Sequence, residues 1–170
     1  IHSKAYNQQY GDNFICIIPT NIYGPHDNFH IEDAHVIPAL INKCYLAKEN
    51  GEEFIVMGSG TPLRQFIHSE DLARLIMFVL EKYEEKESII LSVGEEDEVS
   101  IRDIATLIAK AFDYEEHMIF DINKPDGQFK KTADNSKLMK LIGKYNFIDI
   151  KEGISKTVEW FKDNYENCRR

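Results

Sequence analysis

The sequence predicts an α/β fold with at least some parallel strand pairing, in an incomplete or two-part layout rather than one compact doubly wound sheet. Three observations lead there. Short apolar runs alternate with helix-period stretches along the whole chain. One such run, Phe14–Ile18, stops at Pro19 and gives way to a polar loop that enters a helix, the arrangement in which open α/β sheets place ligand sites. The connecting segments are irregular, without repeats or a low-complexity linker.

The elements follow in order. Ile1–Tyr10 reads as the tail of a helix already under way, ended by Gly11. Phe14–Ile18 is the first strand. A helix over Val36–Lys48 carries Ile37, Leu40, Ile41 and Cys44 on one buried face. Pro38 sits in its first turn, where a missing N–H costs little, and Glu32 and Asp33 complement its N-terminus. Phe54–Met57 is a short strand closed by the turn Gly58–Pro62, and Gln65–Ile67 is a second extended piece. Ser69 is the expected cap of a helix with a stripe of Leu72, Leu75, Ile76, Val79 and Leu80. Ser88–Val93 is a strand, and the acidic run Glu95–Glu98 is a solvated loop. Ser100 with Asp103 resembles a capping box and opens a helix through Ile101, Ile104, Ala105, Ile108 and Phe112. Met118–Ile122 is a strand, Asn123–Lys131 a loop and Ser136–Ile142 a short helix. Asp149 and Glu152 frame a last amphipathic helix through Ile154, Val158, Phe161 and Tyr165.

Composition narrows the functional classes. The chain has 170 residues, 43% hydrophobic and 29% charged, which is one domain's worth of ordinary globular sequence. A net charge of −9 argues against a nucleic-acid surface, so an anionic small ligand would be held by a few local cations. Three scattered cysteines, Cys16, Cys44 and Cys168, make neither a disulfide framework nor a metal motif and suit a reducing compartment. No apolar run reaches the ~20 residues of a membrane span, and no signal peptide is visible.

Several residues have the chemistry of a site. His26, His30 and His35 crowd the loop after Pro19, but their spacing matches no zinc pattern and no metal is expected. His35 stands where the loop enters the helix, and a neutral imidazole at a helix N-terminus can act as acid or base near neutral pH. Lys43 lies eight residues on, within about 80° of His35 around the helix axis, so the two are expected to line one cleft. Arg64 follows a turn rich in Gly and Pro and is a natural phosphate clamp. In the turn Pro125-Asp126-Gly127, Asp126 suits a sugar hydroxyl, while Lys130 and Lys131 suit phosphate. Gly58-Ser-Gly60 lacks the third glycine of a dinucleotide motif and reads as a plain turn.

These segments together resemble a family. Pro19-Thr-Asn-Ile-Tyr-Gly-Pro-His-Asp-Asn-Phe-His30, His35-Val-Ile-Pro38, Gly58-Ser-Gly-Thr-Pro-Leu-Arg-Gln-Phe66, Ser92-Val-Gly94 and Lys124-Pro-Asp-Gly127 are similar to the GDP-L-fucose synthases. These belong to the extended short-chain dehydrogenase/reductases and convert GDP-4-keto-6-deoxy-D-mannose to GDP-L-fucose by 3,5-epimerisation and NADPH-dependent 4-reduction. The Asn-x-Tyr-Gly-Pro core is shared by many nucleotide-sugar enzymes, so another epimerase or dehydratase of that superfamily, or a non-catalytic binding or dimerisation module, is the alternative. The resemblance covers essentially the whole chain and corresponds to the C-terminal half of the family.

The resemblance implies an edge of the Rossmann domain over residues 1–35. It implies a mainly GDP-sugar-binding domain over residues 36–170, with some segments returning to the Rossmann sheet. It assigns Pro19, Thr20, Asn21 and Ile22 to the nicotinamide end of NADP(H), and His35 to the cofactor region and to acid catalysis of the epimerisations. Lys43, Arg64, Asp126 and Lys131 fall to the GDP portion. Met57 stands where the family usually has Trp. It implies a cytoplasmic homodimer, with no nucleic-acid or membrane partner. The family's Gly-rich phosphate turn and Tyr-x-x-x-Lys pair are absent from these 170 residues. The expectation is therefore that the chain starts just after that pair, is inactive by itself, and associates non-natively unless a partner covers its exposed sheet edge.

Overall fold

Proline has no N–H to give a ladder, and at Pro19 the chain changes strand partner. In the computed structural model, which describes residues 2–170, β1 (Ile17–Pro19) runs parallel to β6 (Ile89–Leu91). Two residues later β2 (Asn21–Tyr23) runs parallel to β5 (Phe66–His68). The first strand therefore begins at Ile17, not at Phe14, whose ring stands 53% exposed against the edge of Tyr6. Part of what reads as a polar loop is strand instead, because Asn21–Tyr23 finds a partner 45 positions on, a pairing that local pattern does not reveal. Before it, α1 (His2–Tyr10) ends at Gly11 in the left-handed region; Ile1 lies outside the described residues.

A third parallel pair, β3 (Phe54–Met57) with β8 (Met118–Asp121), packs beside α2 (Val36–Asn50). The short antiparallel pair β4 (Leu63–Arg64) and β7 (Val99–Ser100) ties the connecting segments together. Predominantly parallel pairing is thus observed. Helix α2 buries Ile37, Leu40, Ile41 and Cys44 and stops at Gly51, which is left-handed and donates to Ala47 and Lys48 carbonyls. Helix α4 (Ile101–Ala111) opens with the reciprocal Ser100–Asp103 capping box. Helix α6 (Ile150–Asn164) opens with Asp149 accepting from the Lys151 and Glu152 N–H groups. These three helices enclose the larger core, where Phe29, Phe54, Ile104, Ile108 and Phe161 are fully buried.

Helix α3 (Ser69–Lys82) and α5 (Ser136–Ile142) cover a smaller core with Ile67, Leu75, Ile89, Leu91 and Leu138. The cap of α3 is His68, not Ser69: its Nδ1 accepts from the Glu70 N–H at 3.3 Å. The predicted stripe is partly wrong, since Leu80 is 74% exposed while Leu72, Leu75 and Val79 are buried. The acidic run folds into a one-turn 3-10 helix over Glu95–Asp97. Glu98 is withdrawn from solvent, bonded to Thr132 and paired with Lys130.

Candidate functional site

Two hollows open side by side around the start of α2. The first, of about 330 Å³, gathers Lys43 from α2, Met57 from β3, Arg64 from β4 and Asp126 from the loop after β8. Val36, Leu40, Val56 and Ile101 give it an apolar floor. Its size and its few convergent polar groups suit a small organic ligand. Neither Lys43 nor Arg64 has an ion-pair partner among the described residues. The Arg64 guanidinium donates to the Leu63 carbonyl at 2.6 Å, which fixes its direction and leaves other N–H groups available. Two unpaired cations beside one carboxylate in a half-apolar hollow are equipped for an anion that also carries hydrogen-bond donors.

Asp126 sits in a more definite setting than its turn suggests. One carboxylate oxygen accepts from the Ser59 N–H at 2.9 Å and the other from the Ser59 hydroxyl at 2.6 Å. These bonds, the hydroxyl's first, hold its carboxyl below the usual carboxylate range. Gly58 has φ +82, and a Cβ there would stand 2.4 Å from the Asp126 carboxylate. Gly58–Gly60 is thus a turn, as its spacing suggests, and it grips a residue more than sixty positions away.

The second hollow, of about 460 Å³, is lined by Thr20, Asn21, Ile22, Tyr23, Gly24, Asp27, His35 and Ser69. Pro19 is not in the lining; it closes β1 instead. The Thr20 hydroxyl meets the Ser92 hydroxyl at 3.1 Å, and the Asn21 amide donates to the Gln65 carbonyl at 2.8 Å. Gln65, buried, donates to the Val93 and Ala133 carbonyls and accepts from the Ala133 N–H. That clamp joins three loops behind the strand ends.

His35 is exposed at the N-terminus of α2, and its imidazole caps no N–H there. Its neighbours Ala34 and Val36 face the first hollow while His35 faces the second. The single cleft expected for His35 and Lys43 is therefore two hollows with α2's first turn as the ridge between them. Glu32 and Asp33 are not in that first turn, and Asp33 pairs with His30 at 3.4 Å. His26, in the left-handed region at φ +66, packs on Trp160 with ring centroids 4.5 Å apart. His26 lines the second hollow with His35 while His30 turns to Asp33, and among the described residues no three His, Cys, Asp or Glu side chains converge as metal ligands.

Asp27 escapes a reading by motif. Burial raises its carboxyl above the usual range, against the Asn28 N–H and the positive charge of His35, which lower it. Its place after a Pro-His dipeptide carries no signal in the sequence. Lys131 is exposed and lines neither hollow, because Lys130 beside it is turned to Glu95 and Glu98. Below the second hollow, Asp71 is buried, accepting from the Tyr145 hydroxyl at 2.8 Å and the Ile148 N–H at 2.7 Å. Tyr23 is buried above it, and burial followed by the charges of Asp71, Asp149 and Glu152 raises its phenol.

Parallel strands meeting at a polar hollow beside a helix N-terminus define a class of nucleotide-handling α/β protein. Residues 2–94 match the model of the NAD dependent epimerase/dehydratase family, and the chain belongs to that family. Among its relatives it is 52% identical to the GDP-L-fucose synthase of Dictyostelium discoideum, over 99% of this chain and 52% of that protein. It is 38% identical to the GDP-L-fucose synthase of Escherichia coli K12, over 98% of this chain and 54% of that protein. The crystal structure of a GDP-L-fucose synthetase from Naegleria fowleri bound to NADP superimposes with a TM-score of 0.94 at 45% identity, over 99% of this chain and 51% of that one. The chain spans about half the length of the curated relatives it matches.

Proposed function

We propose that this chain is the GDP-sugar-binding half of a GDP-L-fucose synthase and carries its proton-transfer histidine. One observation supports the reading above others: Lys43, Met57, Arg64 and Asp126, drawn from four separate segments, meet in one hollow beside the hollow of His35. In this reading the strands at Ile17–Tyr23, together with Phe66–His68 and Ile89–Leu91 that pair with them, belong to the cofactor side. Helices α2, α4 and α6 with β3 and β8 form the sugar-nucleotide side.

Lys43 and Arg64 take the diphosphate, and Asp126 accepts from donors at the nucleotide end. Met57, 60% exposed at the hollow, packs on the ligand where the family usually has Trp. In the substrate GDP-4-keto-6-deoxy-D-mannose, the C4 ketone acidifies the protons at C3 and C5. A base takes each of these protons from one face, and His35, on the wall of the second hollow, returns a proton to the opposite face. Asp27 lines the same hollow beside it.

The residues present also fit a nicotinamide cofactor. Exposed Ile22 offers an apolar face to the hollow next to the polar Thr20 and Asn21, as a flat ring with an amide requires. NADPH supplies hydride chemistry at C4 when bound. Thr20, Asn21, Ile22 and His35 would hold its nicotinamide end. A cytoplasmic homodimer belongs to the same reading; it rests on the family resemblance, with the free cysteines consistent with a reducing compartment.

The test is a chimera. Joined behind the N-terminal half of the Dictyostelium discoideum relative, this chain is expected to restore NADPH oxidation with GDP-4-keto-6-deoxy-D-mannose. The chain by itself is expected to give none. A chimera that folds and binds GDP-sugars no better than UDP- or dTDP-sugars would remove the GDP assignment.

A further inference from the structure

We propose that Ser59 is a positioning residue that presents the Asp126 carboxylate to the ligand in the first hollow, with Arg102 as its anchor; this rests on the hollow being a nucleotide site.

The Arg102 guanidinium lies 3.7 Å from the centre of the Phe120 ring and donates to the Ser59 carbonyl at 2.6 Å. The Gly60 carbonyl accepts from the Arg102 N–H at 2.8 Å. A Cβ at Gly60 would stand 2.7 Å from Phe120 and 3.0 Å from the Arg102 side chain, so nothing but glycine lets the turn lie this close. From the other side, Ser59 donates its N–H to one Asp126 oxygen and its hydroxyl to the other. The turn is therefore gripped through Ser59 from two sides, by Arg102 of α4 and by Asp126 in the loop after β8.

The chemical consequence follows from counting lone pairs. A carboxylate offers about four acceptor positions, and Ser59 occupies one on each oxygen. The acceptor capacity left over is available to the hollow that Asp126 lines with Lys43 and Arg64. A freely rotating Asp on a surface loop would lose this fixed orientation and the order it gives to a ligand. The two bonds also keep Asp126 ionised, and hence an acceptor only, which suits a ligand that brings N–H or O–H donors.

Calorimetric titration of the chain with GDP tests this. Ser59→Ala is expected to weaken GDP binding about tenfold, the weight of one hydrogen bond to a charged group. Ser59→Thr, which keeps the hydroxyl, is expected to restore it. In an Asp126→Ala background, Ser59→Ala is expected to change nothing further, because the group it orients is gone. A simple loss of turn structure would weaken binding in both backgrounds and would not discriminate Thr from Ala. Additive effects of the two alanines, or a Ser59→Ala protein that binds GDP like the parent, would overturn the positioning role. A parent chain that binds no GDP would instead remove the nucleotide reading of the hollow, and this inference with it. Thermal melts of each variant separate loss of fold from loss of presentation.

Discussion

The two cores of this protein are finished to different degrees. Around Phe29, Phe54, Ile104 and Phe161, α2, α4, α6 and the β3–β8 pair close on one another, and the aromatic rings of Phe29, Tyr45, Phe161 and Tyr165 interlock. Around Ile67, Leu75, Ile89 and Leu91, helices α3 and α5 cover one face of the strands only. On the other side Phe14, Ile18 and Ile22 stand 53%, 46% and 38% exposed, with Tyr6 and Tyr10 beside them. Parallel strands are ordinarily covered on both faces. The difference teaches that the first hollow is built on a self-sufficient core, whereas the hollow of His35 is built at the margin of an open one.

The sharpest way to break the comparison is through the closed core. Phe161→Ala is expected to cost about 3–5 kcal/mol, because the surrounding rings cannot collapse into the space. Urea unfolding measures it; a loss under about 1 kcal/mol would mean the closed core is not what holds the fold.

Next in size comes Asp71→Ala in the smaller core. It leaves the Tyr145 hydroxyl and the Ile148 N–H without their acceptor and is expected to cost about 3 kcal/mol. A cost as small as that of a surface site would show that the Phe147–Ile150 segment is held by other contacts.

His68, whose ring meets Tyr23 of the larger core edge-on, adds a pH dependence. Its ring is buried, burial lowers its pKa, and its Nε2 finds no partner among the described residues. The unfolded chain therefore takes up the proton more readily than the folded one. Stability from this group is complete above roughly pH 6.5 and is lost as pH falls toward the lower folded value. His68→Asn, which can still cap α3, is expected to flatten that part of the stability curve. An unchanged curve between parent and variant would place the acid sensitivity elsewhere.

On the open face, Ile18→Lys is expected to leave the free energy of urea unfolding within about 0.5 kcal/mol of the parent while shifting sedimentation toward monomer. A matching loss of stability would mean that Ile18 is covered after all. The smallest expected effect is Met57→Trp, which enlarges the flat apolar contact in the first hollow and should tighten GDP binding a few-fold. Weaker binding would show that the hollow has adapted to the thioether.

Much of this was legible from residue order because it is local. The α2 face, the Ser100–Asp103 box, the Asp149 cap and the strand at Phe54–Met57 follow from periodicity and capping within one turn. The strand at Asn21–Tyr23 was not legible, since its pairing depends on residues 66–68. Nor was His68 as a cap, because a ring nitrogen serves there only when burial and backbone direction bring it to the Glu70 N–H.

The candidate site divides the same way. Sequence alone determined which side chains could do chemistry: His35 at a helix start, Lys43 on a helix, Arg64 and Asp126 on turns rich in Gly and Pro. Only the tertiary structure decided which of them meet. It set Lys43 and His35 on opposite sides of a ridge, left Lys131 outside, and locked Asp126 onto Ser59. The reason is physical: caps and faces depend on neighbours within a few positions. A hollow depends on how helices and parallel strands distant in sequence pack, and no short window of residues contains that information.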